Sequence, residues 1–550
     1  MRNLLIKGHR RAHLADSSPS TWPRHQSMTL RSYFLPEDRQ VRIALLCLIC
    51  TYLILWPVVT ALIHHSPPLD VIEGFVWSIQ PQAGYYKHPP LPAWVIALSV
   101  GIFSKTKFAL MLLGPLSIVI AIFALWWLAR QFLDERLSVV AIFLTSTQLY
   151  FNLLVPEFNH NVIQIPLWAL SIALFWAATR KGDSFLFAFL GFALGLCLLA
   201  KYSAVLLYAF IVGWLIVDRK SREHLTFFKV VICIFTALAV ASPNLFWLVQ
   251  HDFQSLNYIQ ERMGDKLSII DRFKTMVEFL LAQLGVTSPL LIFAWLAQKN
   301  FVSDSKPKLS SSAGYLLAAA LVPLLISTAV PLIGGHPLRD MWAMMMFTSL
   351  GIGLVCLWPL AFERFFTGRW LLLWMVFQGL AVSIYAANIV IKTHVTESLS
   401  RANYPGPEIA RLVEQNWLEK TQNAPLRYVI GSTWVAGNVA FFSKFTPTVM
   451  INGDKRISPW VDSDRLKACG YVLIWAPDKA GREMGRWMND MNPGYATSQA
   501  DVHLEANQKL FIPVTWVVVP PLKGSESEHS LTSGAPTITF RDVCALPKGA

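Results

Sequence analysis

The chain has 550 residues, of which 54% are apolar and only 15% charged, with a mean hydropathy of +0.44. Ordinary soluble domains carry roughly 25% charged residues, so a soluble, disordered or coiled-coil protein is excluded. Seven Cys in this length exclude a disulfide scaffold, and a net charge of +13 in so apolar a chain points to basic loops that hold membrane orientation.

Residues 1–42 are polar and basic, with no short apolar core of the kind a signal peptide needs. The first long apolar run, Val41 to Ile63, is long enough to span a bilayer. Similar runs recur near 108–128, 137–154, 162–178, 185–200, 202–217, 230–249, 276–297, 313–333, 342–362 and 370–391. The pattern predicts a polytopic α-helical membrane protein with about eleven transmembrane helices. With the N-terminus inside, roughly 21 Lys/Arg fall in cytoplasmic pieces against about nine opposite, including Arg130, Arg136, Arg180 and Lys181. That bias places residues 64–107 and 392–550 outside. Within the first outer loop, Leu91 to Phe103 is too short to span and reads as an interfacial helix started by Pro89, Pro90 and Pro92.

Residues 392–550 are more polar. A helical pattern over Glu408–Trp417 precedes strand-like runs at Arg427–Ile430, Thr448–Ile451, Tyr471–Trp475 and Trp516–Val519, which predicts a small α/β domain. Cys469 and Cys544 lie here, either bridged, in an oxidising compartment, or buried as thiols.

Polar residues collect where helices reach the outer surface: Asp70, Glu73, Lys87 and His88 in the first loop; Glu157, Asn159, His160 and Asn161 after the third helix; Lys201; Asn244; Glu278; and Arg339. Ionisable groups at such depths are costly and usually face a shared cavity. Each also has a plainer reading: loop acids, a snorkelling lysine, a capping glutamate, an arginine on lipid phosphate. His64, His65, His88 and His160 lack metal-ligand spacing. Asp70 and Glu73, three apart, leave a divalent cation open, and no other cofactor is implied. No nucleotide-binding loop or protease motif is found, which argues against a pump.

The most specific stretch is Gly84-Tyr85-Tyr86-Lys87-His88-Pro89-Pro90-Leu91-Pro92-Ala93-Trp94, preceded by Asp70, Trp77 and Ser78. It resembles the first outer loop of bacterial family 39 and family 83 glycosyltransferases, enzymes of the GT-C fold similar to protein O-mannosyltransferases and the lipid A aminoarabinose transferase. Ala200-Lys201-Tyr202, Ser242-Pro243-Asn244 and Arg339 with Trp342 follow in matching order. The resemblance implies a polyprenyl-phosphate-linked sugar donor, a glycolipid or protein acceptor on the periplasmic side, and a first-loop carboxylate as base. Many members have adjacent Asp-Glu; here the pair is Asp70-Val71, with the glutamate displaced to Glu73. Asp70 is therefore the expected base, with Glu73 beside it. Lys201, Arg339, Lys87 and His88 are the expected donor-phosphate ligands. Tyr85, Tyr86, Glu157, His160, Asn244 and Glu278 are expected to line the substrate site. The competing class is a lipid-linked sugar flippase, which needs a polar path to the cytoplasm that the sequence does not show.

Overall fold

The computed structural model describes residues 36–263, 266–299, 309–359, 362, 368–477, 495–522 and 544, so most of the basic N-terminal segment lies outside the described residues. The chain is a multi-pass helical membrane protein. Among the described residues, six helices are long and apolar enough to cross a bilayer: α1 (Arg39–Ile63), α4 (Lys107–Ala129), α9 (Phe227–Gln250), α11 (Ile269–Lys299), α12 (Ser311–Ala329, extended by a π turn to Gly334) and α14 (Gly368–His394). Between them lie α5 (Glu135–Ser146), α6 (Gln164–Lys181), α7 (Ser184–Ala200), α8 (Val205–Val217) and α13 (Leu350–Leu357).

Two spans differ from the sequence expectation. The run 137–154 is helical only to Ser146 and then turns, because Asn152 and Gln148 spend their amides on the carbonyls of Ser146, Gln148, Thr145 and Phe347. The run 342–362 begins as two short 3₁₀ turns before α13. Hydropathy reports an apolar environment and not a continuous helix, so both breaks escape it.

The connection between α1 and α4 contains α2 (Leu69–Ile79) and α3 (Leu91–Phe103). Pro68 precedes α2 with an extended backbone, which starts the helix at Leu69. Its Val71, Ile72, Phe75 and Val76 are buried. Each such burial stabilises by about 1.5–3 kcal/mol. A Cβ at Gly74 would lie 2.5 Å from Ile96 Cδ1, so glycine lets α3 approach. The exposed Leu98, Ile102 and Phe103 leave α3 an apolar free face. After α9, a short polar helix, α10 (Gln254–Met263), lies against the first loop.

Residues beyond α14 form an α/β unit. Helix α15 (Gly406–Lys420) leads into β1 (Tyr428–Gly431), α16 (Thr433–Phe442), β2 (Thr448–Ile451), α17 (Ser463–Cys469), β3 (Tyr471–Trp475), β4 (Ser498–Leu504) and β5 (Asn507–Val519). The sheet order is β2-β1-β3-β5-β4; β1 pairs parallel with both neighbours, and β3–β5 and β5–β4 are antiparallel. Alternation sorts the faces: Ile430, Tyr471 and Leu473 share one small cluster, while Val429, Val472 and Ile474 join the main core. All four strands read from sequence are present. Strand β4 and the first half of β5 were not anticipated, because their burial alternates with charged and polar residues. Cys469 and Cys544 are bridged.

This unit seats directly on the connection that carries α2 and α3. Helix α16 packs on α2, with Phe441 edge-on to Phe75 at 5.1 Å. His65 Nε2 meets Glu408 at 2.8 Å, and Lys105 Nζ donates to Ser443 O and Thr446 Oγ1. Gly437 makes the close approach possible, since a Cβ there would stand 2.6 Å from Ile72 Cγ2 and 2.9 Å from Val76 Cγ2. Gly437→Val is expected to lower stability by about 1–3 kcal/mol through overpacking, read as a drop in thermal melting in detergent.

Candidate active site

Helix α2 presents Asp70 in its first turn and Glu73 one turn later. The Gly84–His88 segment folds back over it as a tight turn, in which Tyr85 N–H donates to His88 O and His88 N–H to Tyr85 O. Three anchors fix this turn. Trp94 Nε1 donates to Gln82 O, Asn244 Nδ2 to Ala83 O (2.9 Å), and Ser255 Oγ to Tyr85 O. Gly84 is required because a Cβ would fall 2.4 Å from the Trp247 ring. The turn delivers Lys87, whose Nζ reaches Glu73 Oε1 at 2.5 Å. Burial opposes the charge of Lys87, but the Glu73 carboxylate outweighs it and holds the ammonium above the ordinary lysine range. Tyr86 and Tyr258 flank this lysine, with ring centroids 5.2 and 5.9 Å from Nζ.

The connection between α5 and α6 closes the other side. Asn159 Nδ2 donates to Asp70 Oδ2 at 2.9 Å, and Lys201 Nζ donates to Asn161 Oδ1 at 2.5 Å. Lys201 stands where α7 ends and also lies 5.4 Å from the Trp342 ring centroid. Burial pushes its ammonium down to about 8, against the favourable field of Asp70. Between Asn159 and Asn161, His160 packs on His88 with ring centroids 4.0 Å apart. Both imidazoles are held neutral, chiefly by burial and further by neighbouring cations; His160 is pushed down to about 3.

Glu157 receives the backbone N–H of Asp70, at the positive end of α2. Burial, then the Asp70 charge, lifts its carboxyl to about 7, and Arg401 partly offsets this. A carboxyl raised from 4.5 to about 7 binds its proton more tightly in the folded state. Its contribution to stability therefore declines as pH rises through that interval. Glu157→Gln is expected to flatten the parent's loss of thermal stability across this window; an unchanged pH profile would contradict the assignment.

The structure thus brings together Asp70, Glu73, Lys87, His88, Tyr86, Glu157, His160 and Lys201. Tyr85 and Asn244 sit differently from the expected substrate-lining role. Tyr85 is buried, stacks on Trp77 at 4.7 Å, accepts from Gln82 N–H and donates to Trp77 O; Asn244 clamps Ala83 and accepts from Tyr202. Both shape the loop that carries Lys87. Arg339 is exposed, three residues before the Trp342 that faces Lys201. Glu278 is exposed on α11, with no hydrogen bond or ion pair to the cluster among the described residues, whereas Gln283, one turn further, bonds Tyr150 and Asp340 O. Among the described residues no three His, Cys, Asp or Glu side chains are arranged to hold a metal ion, and Glu73 is engaged by Lys87. The sequence reading did not single out Tyr258 or Arg401, which lie far along the chain with no motif to mark them.

Comparison with known proteins bears on the fold and the family. Residues 87–247 match the family model described as dolichyl-phosphate-mannose-protein mannosyltransferase. The lipid A galacturonosyltransferase RgtD of Rhizobium johnstonii is 28% identical over 234 residues, covering 42% of this chain and 48% of the relative, so the match spans about half of that protein. The lipopolysaccharide core galacturonosyltransferase RgtB of the same organism is 21% identical over 477 residues, covering 83% and 92%. The crystal structure of ArnT from Cupriavidus metallidurans bound to undecaprenyl phosphate superposes with a TM-score of 0.55 at 13% identity, over 86% of this chain and 97% of that one. The apo form of ArnT gives 0.56. The chain has the GT-C fold of membrane glycosyltransferases, and its stretch from Lys87 to Trp247 carries the sequence pattern of the dolichyl-phosphate-mannose-protein mannosyltransferase family.

Proposed function

We propose that this protein is a bacterial inner-membrane glycosyltransferase that moves a sugar from a polyprenyl-phosphate carrier to a glycolipid acceptor, lipid A or lipopolysaccharide core, at the periplasmic face. The observation that carries the reading is the joint placement of a carboxylate, Asp70, and a half-buried ammonium, Lys201, in one cluster through two asparagines at alternate positions of one loop. The donor phosphate of the ArnT complex and the acceptors named for RgtD and RgtB support the substrate classes. The basic inner loops support an inside N-terminus, and the Cys469–Cys544 bridge supports an oxidising compartment for the C-terminal unit.

In this reading Asp70 accepts the proton of the acceptor hydroxyl as its oxygen bonds the anomeric carbon. The bond from that carbon to the carrier phosphate breaks, and its electron pair leaves on the phosphate oxygen. Lys201 and Lys87 hold the growing negative charge, where low dielectric strengthens each interaction. His88 and His160, neutral at working pH, offer N–H donors without adding charge. The attack is a single displacement, so the anomeric configuration inverts.

The test reconstitutes purified protein in vesicles with polyprenyl-phosphate sugars and supplies lipid A, core lipopolysaccharide or peptide acceptors. Transfer to a lipid acceptor is the expected result. Sugar crossing the vesicle without transfer would overturn the reading in favour of a flippase.

A further inference from the structure

We propose that Asn159 and Asn161 are positioning residues: one rigid connection holds the base and the phosphate-binding cation at a fixed separation. The inference rests on the glycosyl-transfer reading above and extends it. The two amides occupy alternate positions of a single loop and contact different partners. Asn159 Nδ2 reaches Asp70, 89 residues earlier, and Asn161 Oδ1 receives Lys201, 40 residues later. Both asparagines are buried, with 6% exposure each. The loop itself is stiffened by Asn159, whose Oδ1 accepts the backbone N–H groups of Asn161 (2.8 Å) and Val162 (3.1 Å). His160 between them is wedged against His88, and Glu157 holds the first turn of α2 by the Asp70 N–H. Each link removes a freedom that Asp70 or Lys201 would otherwise have. A carboxylate with one oxygen held by Asn159 Nδ2 keeps its other oxygen turned to the acceptor hydroxyl. An ammonium with one hydrogen on Asn161 keeps two for phosphate oxygens.

Isosteric variants separate the two roles from simple folding. Asn159→Asp retains the acceptor that caps Asn161 and Val162 but loses the donor to Asp70 and sets a like charge against it. Its kcat is expected to fall on the order of 10²-fold, with KM changed less than about threefold. Asn161→Asp retains the acceptor for Lys201 but offsets the ammonium's charge. Binding of undecaprenyl phosphate, measured directly on the purified protein, is expected to weaken by about tenfold or more, with the loss carried mainly in donor KM. Thermal melting of Asn161→Asp, whose new charge is met by Lys201, should stay near the parent's, as should that of Asn159→Ser, which loses the donor to Asp70 without adding a charge and is expected to lose kcat as Asn159→Asp does. Asn159→Asp itself, with two buried carboxylates in contact, is expected to melt lower. Parent turnover with all three variants unchanged would overturn this inference alone, as would loss of kcat, binding and melting temperature together in Asn159→Ser or Asn161→Asp, the mark of a structural role. No turnover by the parent with any lipid-linked donor would overturn the glycosyl-transfer reading and this inference with it.

Discussion

Asp70→Asn is expected to lower the transfer rate by about 10²–10⁴-fold, the contribution of a positioned general base. The amide matches the carboxylate in size, so α2 and its contacts with α16 should be undisturbed and thermal melting should stay close to the parent's. The loss should lie in kcat, because in the proposed reaction Asp70 takes the acceptor proton in the transition state while the cations hold the donor phosphate. Binding of undecaprenyl phosphate should be retained or tightened, since a negative charge has been removed from the neighbourhood of Lys201. Steady-state kinetics with a lipid-linked donor and direct binding of the carrier lipid read both effects. Transfer at more than about half the parent's rate would sink the role of Asp70 as base, well outside the range that general bases contribute.

Glu73→Gln is the second large effect, and it falls first on stability. Glu73 is 8% exposed and its carboxylate is bonded by Lys87 at 2.5 Å. Removing one partner of a buried pair leaves the other charge uncompensated and costs about 3–5 kcal/mol. Lys87→Met alone should be comparably harmful, whereas the double variant Glu73→Gln/Lys87→Met should recover most of the loss, because neither charge is then stranded. Thermal melting of the four proteins in one detergent forms the cycle, and additive losses would refute the pairing. The pH dependence has a definite sign. Because Lys87 is held above its ordinary value of 10.5, the pair's attraction is lost on the alkaline side only as pH rises through that folded value. On the acid side burial raises the Glu73 carboxyl above its ordinary 4.5, so the attraction fades as pH falls and that carboxyl takes up its proton.

The same pair shows how much of the site was legible in sequence. Asp70, Glu73, Lys87 and His88 were found because they lie within one short outer loop around a specific motif, and local sequence is enough to flag such a loop. That Lys87 turns to Glu73 was not legible. It depends on the reciprocal turn between Tyr85 and His88, and on clamps from Asn244 and Ser255, which come from helices far along the chain. Tyr85 shares a motif with Lys87 yet faces Trp77, because a buried hydroxyl must find partners and the loop backbone supplies them. Glu278 and Gln283 lie on the same helix, five residues apart; rotation about the helix axis leaves the glutamate exposed and turns the glutamine onto Tyr150.

What the amino-acid order determined by itself was the solvent and the local geometry. Apolar run length fixed a membrane protein, short runs of apolar, β-branched and aromatic residues marked β1, β2, β3 and the end of β5, and the first-loop motif pointed to the fold. These follow from properties of neighbouring residues, which hydrophobic transfer and backbone periodicity express directly. What only the tertiary structure decided was which charge meets which. Asp70 with Asn159, Lys201 with Asn161 and Trp342, Glu157 with Arg401, and the seating of α16 on α2 through Gly437 all join segments distant in sequence. The reason is physical. Burying a charge away from water is costly unless a partner is brought to it, and packing of whole helices, not local sequence, selects the partner that arrives.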